Sequence, residues 1–317
     1  MSLALLFSPQ GSQAVGMGRD LADRSAAARE VFAEADATLG WRVSETCWEG
    51  PEARLNDTRQ TQPCLLTTSI AALRALTESV AVAPAYVAGH SVGEYAALVA
   101  AGVLDLAAAL RLVARRAALM AAADDAGGMA AVIGLSRDAV ERVVASVSRP
   151  TELVVANDNA PGQVVISGVR DALDAVEGPM LDAGARRVQR LAVSGAFHSP
   201  LMASVADALA GAFEHETWSD ARVPLVSNVS AEPITDAGRI RALLAEQVRS
   251  PVEWVRSIER LVAEGVDLVV ECGPGTALTG MTKRIAPLVR RANVSDGASL
   301  EAAVAAVSAD SAVEAPA

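Results

Sequence analysis

The chain has 317 residues, of which 51% are hydrophobic and 21% charged, a composition that supplies a sizeable core and excludes overall disorder. It has 27 basic and 38 acidic residues, a formal net charge of −11, and no basic cluster suited to nucleic acid. Because Cys47, Cys64 and Cys272 lack the spacing of a zinc site or a disulfide framework, we expect no metal site and a reducing, cytoplasmic location.

The sequence predicts neither a signal peptide nor a membrane span. The apolar run at residues 3–7 lacks a basic leader and is too short for the core of a signal peptide. The most apolar region, 96–112, is interrupted by Asp105 and Arg111, whereas a bilayer-spanning helix needs about 20 apolar residues. We therefore expect a protein that is not exported and has no membrane partner.

Short apolar runs alternate with helical patterns in chain order. The runs at residues 3–7, 85–89 and 266–270 predict strands buried in a parallel sheet, and apolar residues recur at helical intervals in 17–39, in 63–80 and from Leu278 onward. The second run leads directly through a sharp turn into a helical segment. Alternation of strands with helices predicts an α/β architecture.

The middle of the chain has a different order of elements. Strand and helix patterns between Met129 and Val193 follow the order βαββαβ, which is the ferredoxin-like plan. Gly127-Gly128 and Ser194-Gly195 are predicted hinges at its two ends. The predicted domains are a discontinuous α/β core at 1–126 and 195–307, an inserted ferredoxin-like subdomain at 127–194, and a flexible tail at 308–317.

The segment Gly89-His90-Ser91-Val92-Gly93 matches the nucleophile-elbow pattern GxSxG between a predicted strand and a predicted helix. Glycines at both ends of such a turn allow neighbouring chain to pass close. The Ser91 hydroxyl would then lie at the N-terminus of a helix, where the Val92 N–H can stabilise an oxyanion. The alternative interpretation is an ordinary glycine-rich turn that begins a helix.

A serine hydroxyl needs a base to become a good nucleophile, and the chain has three histidines. His90 is adjacent to Ser91 and is expected to pack beneath the turn, while His215 lies among acidic residues and is expected at the surface. His198, in the loop after the predicted subdomain, is the candidate base. Asp158 is a possible third member of a triad, and a backbone carbonyl that orients the imidazole is an equal alternative.

Arg116 lies in the helical segment RLVARRAALM after the elbow helix. One interpretation is an exposed helix charge. The other is a guanidinium that points into the cleft and holds a substrate carboxylate through two hydrogen bonds, which would select an acidic acyl group.

Several motifs in one order resemble the malonyl-CoA:acyl carrier protein transacylase family and the related acyltransferases of polyketide synthases. They are FSPQGSQAVGMG, TRQTQP, GHSVGEYAALVAAGVLDLAAALRLVARR, GGMAAVIGL, NDNAPGQVVISG, SGAFHSPLM, SPVEW and ECGPGTALTGMTKRI, and they cover nearly the whole chain. The resemblance implies a hydrolase-like α/β core with an inserted ferredoxin-like subdomain. It also implies transfer of a malonyl group from malonyl-CoA to the phosphopantetheine thiol of an acyl carrier protein, with no metal or redox cofactor.

The resemblance also assigns roles by motif position. It implies Ser91 as the acylated nucleophile, His198 as its base and Arg116 as the partner of the malonyl carboxylate. It further implies a second oxyanion donor at the Gln10 N–H, a histidine-orienting carbonyl at Gln247, and substrate contacts from Gln62, Asn159, Gln163 and Phe197. The bulk of Phe197 would favour malonyl over methylmalonyl groups.

One motif departs from the family pattern. The family usually has phenylalanine, proline, glycine and glutamine where this chain has Phe7-Ser8-Pro9-Gln10, so the loop that carries the second oxyanion donor is altered. Two alternative functions fit the same residues. One is an acyl hydrolase that uses the same elbow, and the other is a carrier-protein binding module without catalysis.

Overall fold

The computed structural model describes residues 2–123, 127–193 and 195–311. Its strands are β1 (Leu3–Phe7), β2 (Tyr86–Gly89), β3 (Gly127–Ile133), β4 (Leu153–Ala160), β5 (Gln163–Val169), β6 (Arg187–Arg190), β7 (Leu225–Val226), β8 (Pro233–Ile234), β9 (Leu268–Cys272) and β10 (Arg290–Val294). Its helices are α1 (Arg19–Arg24), α2 (Ala26–Leu39), α3 (Val43–Glu49), α4 (Glu52–Leu55), α5 (Thr58–Ser79), α6 (Gly93–Ala101), α7 (Leu106–Ala122), α8 (Arg137–Val147), α9 (Arg170–Asp182), α10 (Ala203–Phe213), α11 (Ala237–Gln247), α12 (Trp254–Ala263), α13 (Ala277–Ile285) and α14 (Gly297–Ser311). None of the helices in the described ranges has both the length and the apolar character needed to cross a bilayer.

The larger sheet has six strands in the order β10-β9-β1-β2-β7-β8, and every pair except β7 with β8 is parallel. Alternate residues of β1 join apolar clusters on opposite faces, Leu5 in one and Leu6 in the other, as expected for a strand covered on both sides. Phe7 pairs with both Gly89 and Cys272, so β1, β2 and β9 end side by side. The loops that follow them open at one edge, where α/β proteins commonly bind ligands.

The smaller sheet is antiparallel, with the strand order β4-β5-β3-β6, and α8 and α9 follow β3 and β5 in the chain. Its two faces have different partners. Val132 and Ile166 share an apolar cluster with residues of the two helices, whereas Met129 and Val165 belong to the cluster of the main core. Because side chains alternate along a strand, the helices cover one face and the other faces the larger sheet and its helices.

Strand β4 also connects the smaller sheet to the segment before α12. The Asp158 N–H donates to the Val252 carbonyl at 3.0 Å, and the Val252 N–H donates to the Ala156 carbonyl at 2.8 Å. Across the same junction, the Arg137 guanidinium forms a two-pronged ion pair with the Glu253 carboxylate. These contacts fix the end of β4 that faces the candidate site.

Most predicted elements agree with the structure, including β1 and the order βαββαβ after residue 126. The predicted helical stretch 17–39 is divided into α1 and α2, because Ser25 is extended and its hydroxyl caps α2 by accepting from the Ala28 N–H at 3.0 Å. Helix α5 begins at Thr58, before the predicted start at Pro63, because Asp57 caps it.

The predicted hinges and tail differ more from the structure. Gly127 and Gly128 are the first residues of β3 and pair with Val169 and Gly168, so they are held in the sheet. Ser194, of the second predicted hinge, lies outside the described residues, as do 312–317 of the predicted tail. Residues 308–311 continue α14, whose alanine-rich sequence favours a helix.

Candidate active site

Ser91 lies in the turn between β2 and α6, and its backbone is left-handed with a φ of 53°. This conformation is strained for a residue that carries a side chain. The side chain of Asn228 holds the turn, since its Oδ1 accepts from the Ser91 N–H at 2.7 Å and its Nδ2 donates to the Gly89 carbonyl at 2.6 Å. The strand, sharp turn and helix predicted around GxSxG are therefore present.

Both glycines of this pattern lie directly against main-chain atoms. A β-carbon on Gly89 would be 2.0 Å from the Gly93 carbonyl, and one on Gly93 would be 2.2 Å from the Phe7 carbonyl oxygen. We expect Gly93→Ala to lower the free energy of unfolding by more than the ~1–3 kcal/mol of an ordinary overpacked core, because main chain cannot rotate away. Thermal unfolding tests this against Gly211→Ala, a helical position with nothing within 4 Å of a β-carbon. Equal melting temperatures for the two variants would contradict the expectation.

His198 reaches Ser91 from the loop before α10. Its Nε2 lies 2.8 Å from the Ser91 Oγ, and its Nδ1 lies 2.8 Å from the backbone oxygen of Gln247. A carbonyl oxygen only accepts, so Nδ1 carries the proton and the Nε2 lone pair faces the hydroxyl. In this arrangement the imidazole can accept the serine proton.

The other candidates for a base or a triad acid lie elsewhere. The Nε2 of His90 is 2.7 Å from the Asn159 Oδ1, and His215 is exposed. The Asp158 carboxylate lies 3.8 Å from an arginine of α8. Of the two arrangements that the sequence left open, the structure has the backbone carbonyl against His198.

Burial lowers the pKa of His198 to about 3, and the charge of Arg116 acts in the same direction. The imidazole is therefore neutral at any pH well above that value. Burial raises the pKa of the nearby Glu94 carboxyl to about 7, so this test uses the Glu94→Gln variant, in which that group does not titrate. In this variant we expect the reaction of Ser91 with a neutral sulfonyl fluoride to keep a level rate as the pH falls from about 8 to about 5. A rate that falls by half near pH 6.5, the ordinary pKa of histidine, would contradict this expectation.

Arg116 is buried on α7, with 1% of its surface exposed. Its NH1 donates to the Gln62 Oε1 at 2.7 Å, and its NH2 donates to the Ser91 Oγ and to the Gln247 Oε1, each at 3.1 Å. All three partners are neutral, and among the described residues no carboxylate bonds this guanidinium directly, although the nearby Glu94 carboxylate acts on it electrostatically. Burial lowers the pKa of Arg116 because the charged form has lost hydration. A buried cation with neutral partners is suited to binding an anion.

Two backbone N–H groups are available near the nucleophile. Val92 is the residue before α6, and Gln10 lies in the loop after β1; in the described part of the chain neither N–H donates to another backbone carbonyl. Gln10 lines the same cavity as Ser91. In the altered loop, the Ser8 hydroxyl is buried and donates to the Glu271 carboxylate at 3.4 Å, so serine makes a contact that proline could not.

Ser91 and His198 line a cavity of about 430 Å³. Both sheets contribute to its wall, through Met129 and Val165 of the smaller one and the Ser91 turn of the larger. Its apolar lining residues are Pro9, Met120, Met129, Val165, Leu191, Ala192, Val193, Phe197 and Met281. Polar side chains share the lining, namely Gln10, Gln13, Asn56, His90, Ser91, Asn157, Asn159 and His198. An apolar wall that carries polar groups at fixed positions suits an acyl thioester.

The structure brings most of the predicted site residues together. Five line the cavity, namely Gln10, Ser91, Asn159, Phe197 and His198. Three form the hydrogen-bonded group beside Ser91, namely Gln62, Arg116 and Gln247. Gln163 does not line the cavity; it begins β5, and its Oε1 accepts from the Arg284 NH1 at 2.7 Å.

Sequence analysis did not identify two residues that complete the site. Asn228 follows β7, a strand of only two residues without a recognisable pattern. Glu94 is 2% exposed, and burial raises the pKa of its carboxyl to about 7. A lone carboxylate in the apolar helix GEYAALVAA was the available signal, because buried acids need hydrogen-bond donors.

Residues 4–303 match the family model described as the acyl transferase domain, so the chain belongs to that family. Among similar proteins, the malonyl CoA-acyl carrier protein transacylase of Bacillus subtilis is 42% identical over 305 residues, covering 95% of this chain and 96% of that protein. The transacylase of the same name from Escherichia coli is 40% identical over 303 residues, covering 95% and 98%. The family resemblance read from the motifs is confirmed.

Solved structures agree with this assignment. An acyl carrier protein S-malonyltransferase from Vibrio cholerae has a TM-score of 0.93 and 40% identity, covering 96% of this chain and 100% of its own. A malonyl-transacylase in complex with a type II PKS acyl-carrier protein has the same TM-score and identity, covering 96% and 99%. The mixed α/β fold with a parallel-containing sheet and a separate antiparallel sheet is therefore shared with malonyltransferases.

Proposed function

We propose that this protein transfers a malonyl group from malonyl-CoA to the phosphopantetheine thiol of an acyl carrier protein, through a malonyl ester on Ser91. The observation that carries the proposal is the buried Arg116 guanidinium, 3.1 Å from the Ser91 Oγ and bonded to neutral side chains. The free carboxylate of a malonyl group would supply its counter-ion and would hold the thioester carbonyl beside Ser91. The relatives named as malonyl transacylases support the same substrate pair.

In the first half-reaction the Ser91 Oγ attacks the thioester carbonyl carbon while the His198 Nε2 accepts the hydroxyl proton. The negative charge that develops on the carbonyl oxygen is stabilised by the Val92 and Gln10 N–H groups. The carbon–sulfur bond then breaks, and His198 returns the proton to the CoA thiolate. A malonyl ester remains on Ser91.

In the second half-reaction the phosphopantetheine thiol attacks the ester carbonyl, and His198 accepts the thiol proton. The bond between the carbonyl carbon and the Ser91 oxygen breaks, and the serine oxygen takes the proton back. Both steps exchange one acyl group between oxygen and sulfur without electron transfer, so the proposed chemistry needs no redox cofactor. Because the Val92 and Gln10 N–H groups are proposed to stabilise the carbonyl charge, the mechanism includes no metal. Arg116 holds the malonyl carboxylate throughout, which limits access of water to the ester.

The remaining site residues position the reacting groups. Gln62 holds the Arg116 guanidinium, and the Gln247 carbonyl keeps the tautomer of His198. Phe197, which lines the cavity and is buried, restricts the space beside the acyl α-carbon and favours malonyl over methylmalonyl. Asn159 contributes a polar wall and holds His90. Gln163, bound by Arg284 outside the cavity, receives no role.

The proposal includes the domain organisation. We assign 1–126 and 195–307 to a hydrolase-like core, supported by a nucleophile turn at the carboxyl ends of parallel strands. We assign 127–194 to a ferredoxin-like subdomain, supported by the order βαββαβ and the strand order β4-β5-β3-β6. The three cysteines are unpaired thiols, which supports a cytoplasmic location.

Mass spectrometry of the products tests the proposal. The enzyme is incubated with malonyl-CoA and a holo acyl carrier protein, and the apo carrier, which lacks phosphopantetheine, is the control. We expect the holo carrier to gain one malonyl group and the apo carrier to gain none, with little free malonate. Malonate as the main product would favour the hydrolase, and a carrier that binds without being malonylated would favour the binding module.

A further inference from the structure

The Glu94 carboxylate is a buried group to which the proposed steps assign no role. It lies in the first turn of α6, three residues after Ser91. Its Oε1 accepts a hydrogen bond from the Asn228 backbone N–H at 3.3 Å, and its Oε2 accepts from the side-chain Nε2 of Gln247. Glu94 thus joins the helix that follows the nucleophile to two segments that are distant in sequence.

One of these contacts leads to the nucleophile. The Asn228 side chain bonds the turn at two points, the Ser91 N–H and the Gly89 carbonyl. These points are the N–H of the residue with a positive φ and the carbonyl two residues before it, so the amide fixes the main chain that leads into the strained Ser91. The carboxylate of Glu94 fixes the backbone from which that amide projects.

The other contact leads to the base and to the buried cation. The Gln247 side chain donates from Nε2 to the Ser91 carbonyl at 3.0 Å and accepts at Oε1 from Arg116. Its backbone carbonyl accepts a hydrogen bond from the Nδ1–H of His198. Gln247 therefore touches the nucleophile's backbone, the cation and the base, and Glu94 holds the side chain that joins them.

We propose that Glu94 is a positioning residue for the acyl transfer, which sets Ser91 against His198 by holding Asn228 on one side and Gln247 on the other. The inference deepens the proposed function and rests on it. In the described structure Glu94 makes no hydrogen bond to the Ser91 Oγ or to His198, so it acts through its two partners. The competing role is electrostatic, in which Glu94 serves only as a counter-charge near Arg116.

Two reactions of the full-length protein separate these roles, measured near pH 8, where the carboxylate is ionised. One is malonyl-enzyme formation from malonyl-CoA, which uses both Arg116 and the Ser91–His198 pair. The other is inactivation by a neutral sulfonyl fluoride, which uses the pair but has no carboxylate for Arg116. In Glu94→Gln, one end of the amide places an N–H against the donor of Asn228 or Gln247, so one contact is lost.

For Glu94→Gln we expect both rates to fall by about tenfold to a hundredfold, because a displacement of about 1 Å costs about that much, while the KM for malonyl-CoA changes by less than about threefold. The matched control is Asp36→Asn, which removes a carboxylate that accepts two hydrogen bonds from Ser44 in a helix away from the cavity. We expect both of its rates to equal those of the wild type.

Loss of malonyl affinity with an unchanged sulfonyl fluoride rate would show that Glu94 acts on Arg116, and this result would overturn the proposal. Two unchanged rates would also overturn it. If Glu94→Gln melts at a far lower temperature than Asp36→Asn, the same two rates are measured for Glu94→Asp. This variant keeps the charge, but its shorter side chain cannot reach both partners. Its two rates must fall together, and wild-type rates would overturn the proposal. A wild-type enzyme that reacts with the sulfonyl fluoride but not with malonyl-CoA would contradict the proposed function, while the sulfonyl fluoride rates would still decide the role of Glu94.

Discussion

Replacing Ser91 by alanine is expected to lower kcat for malonyl transfer by about 10⁴-fold or more, because the variant has no oxygen to esterify. His198 and Arg116 would remain in place, but the base would have no proton to accept from the nucleophile. The rate of carrier-protein malonylation measures this loss.

Folding of the Ser91→Ala variant needs its own control, since position 91 has a positive φ. Serine and alanine both carry a β-carbon, and the Asn228 amide bonds only main-chain atoms of this turn. We therefore expect the two proteins to melt within a few degrees of each other. A folded alanine variant that keeps more than about one hundredth of the wild-type rate would show that Ser91 is not the acylated group.

Replacing Arg116 by methionine, which is long and uncharged, is expected to lower kcat/KM for malonyl-CoA by about 10²–10³-fold, because a buried charge-assisted pair with the carboxylate is lost. The same change should lower kcat/KM for acetyl-CoA by less than about tenfold, since acetyl has no carboxylate to pair. Competition between the two acyl-CoAs in one mixture measures the ratio directly.

Arg115 offers a matched control for this substitution. It is adjacent to Arg116 in α7 but exposed, so Arg115→Met removes a charge without changing the site. We expect this control to keep the wild-type preference for malonyl. Equal losses with malonyl-CoA and acetyl-CoA in Arg116→Met would mean that the guanidinium supports the structure of the site and does not select the acyl group.

Much of the fold was predictable because local patterns and tertiary structure agree. The run Leu3–Phe7 is apolar throughout and is a strand buried on both faces. The glycines at 89 and 93 have a steric reason to be glycine, since any β-carbon there would meet main chain. Such constraints act over a few residues, so they are visible in a single sequence.

The polar network beneath the nucleophile was not predictable in the same way. Asn228 lies 137 residues from Ser91, and Gln247 lies 153 residues from Glu94, so their hydrogen bonds exist only after the chain has folded. Neither residue belongs to a hydrophobic period that would mark its position. Gln247 was found through family resemblance alone, and Asn228 through the structure alone.

The altered loop after β1 shows a different limit. The sequence predicted a change near Gln10, because proline restricts both itself and the residue before it. It could not show that the Ser8 hydroxyl would be buried against Glu271, whose carboxylate also accepts from the N–H groups of Leu278 and Thr279. Strands β1 and β9 must first pair for this contact to form.

Intact-mass measurement with peptide mapping tests most directly whether Ser91 carries the acyl group between two thiols. The enzyme is mixed with malonyl-CoA alone and holo carrier protein is then added. We expect one malonyl group on the peptide that contains Ser91, followed by its loss from the enzyme as the carrier gains it. Malonylation of the carrier with no acyl-enzyme at any time, or with the group on another residue, would contradict transfer through Ser91.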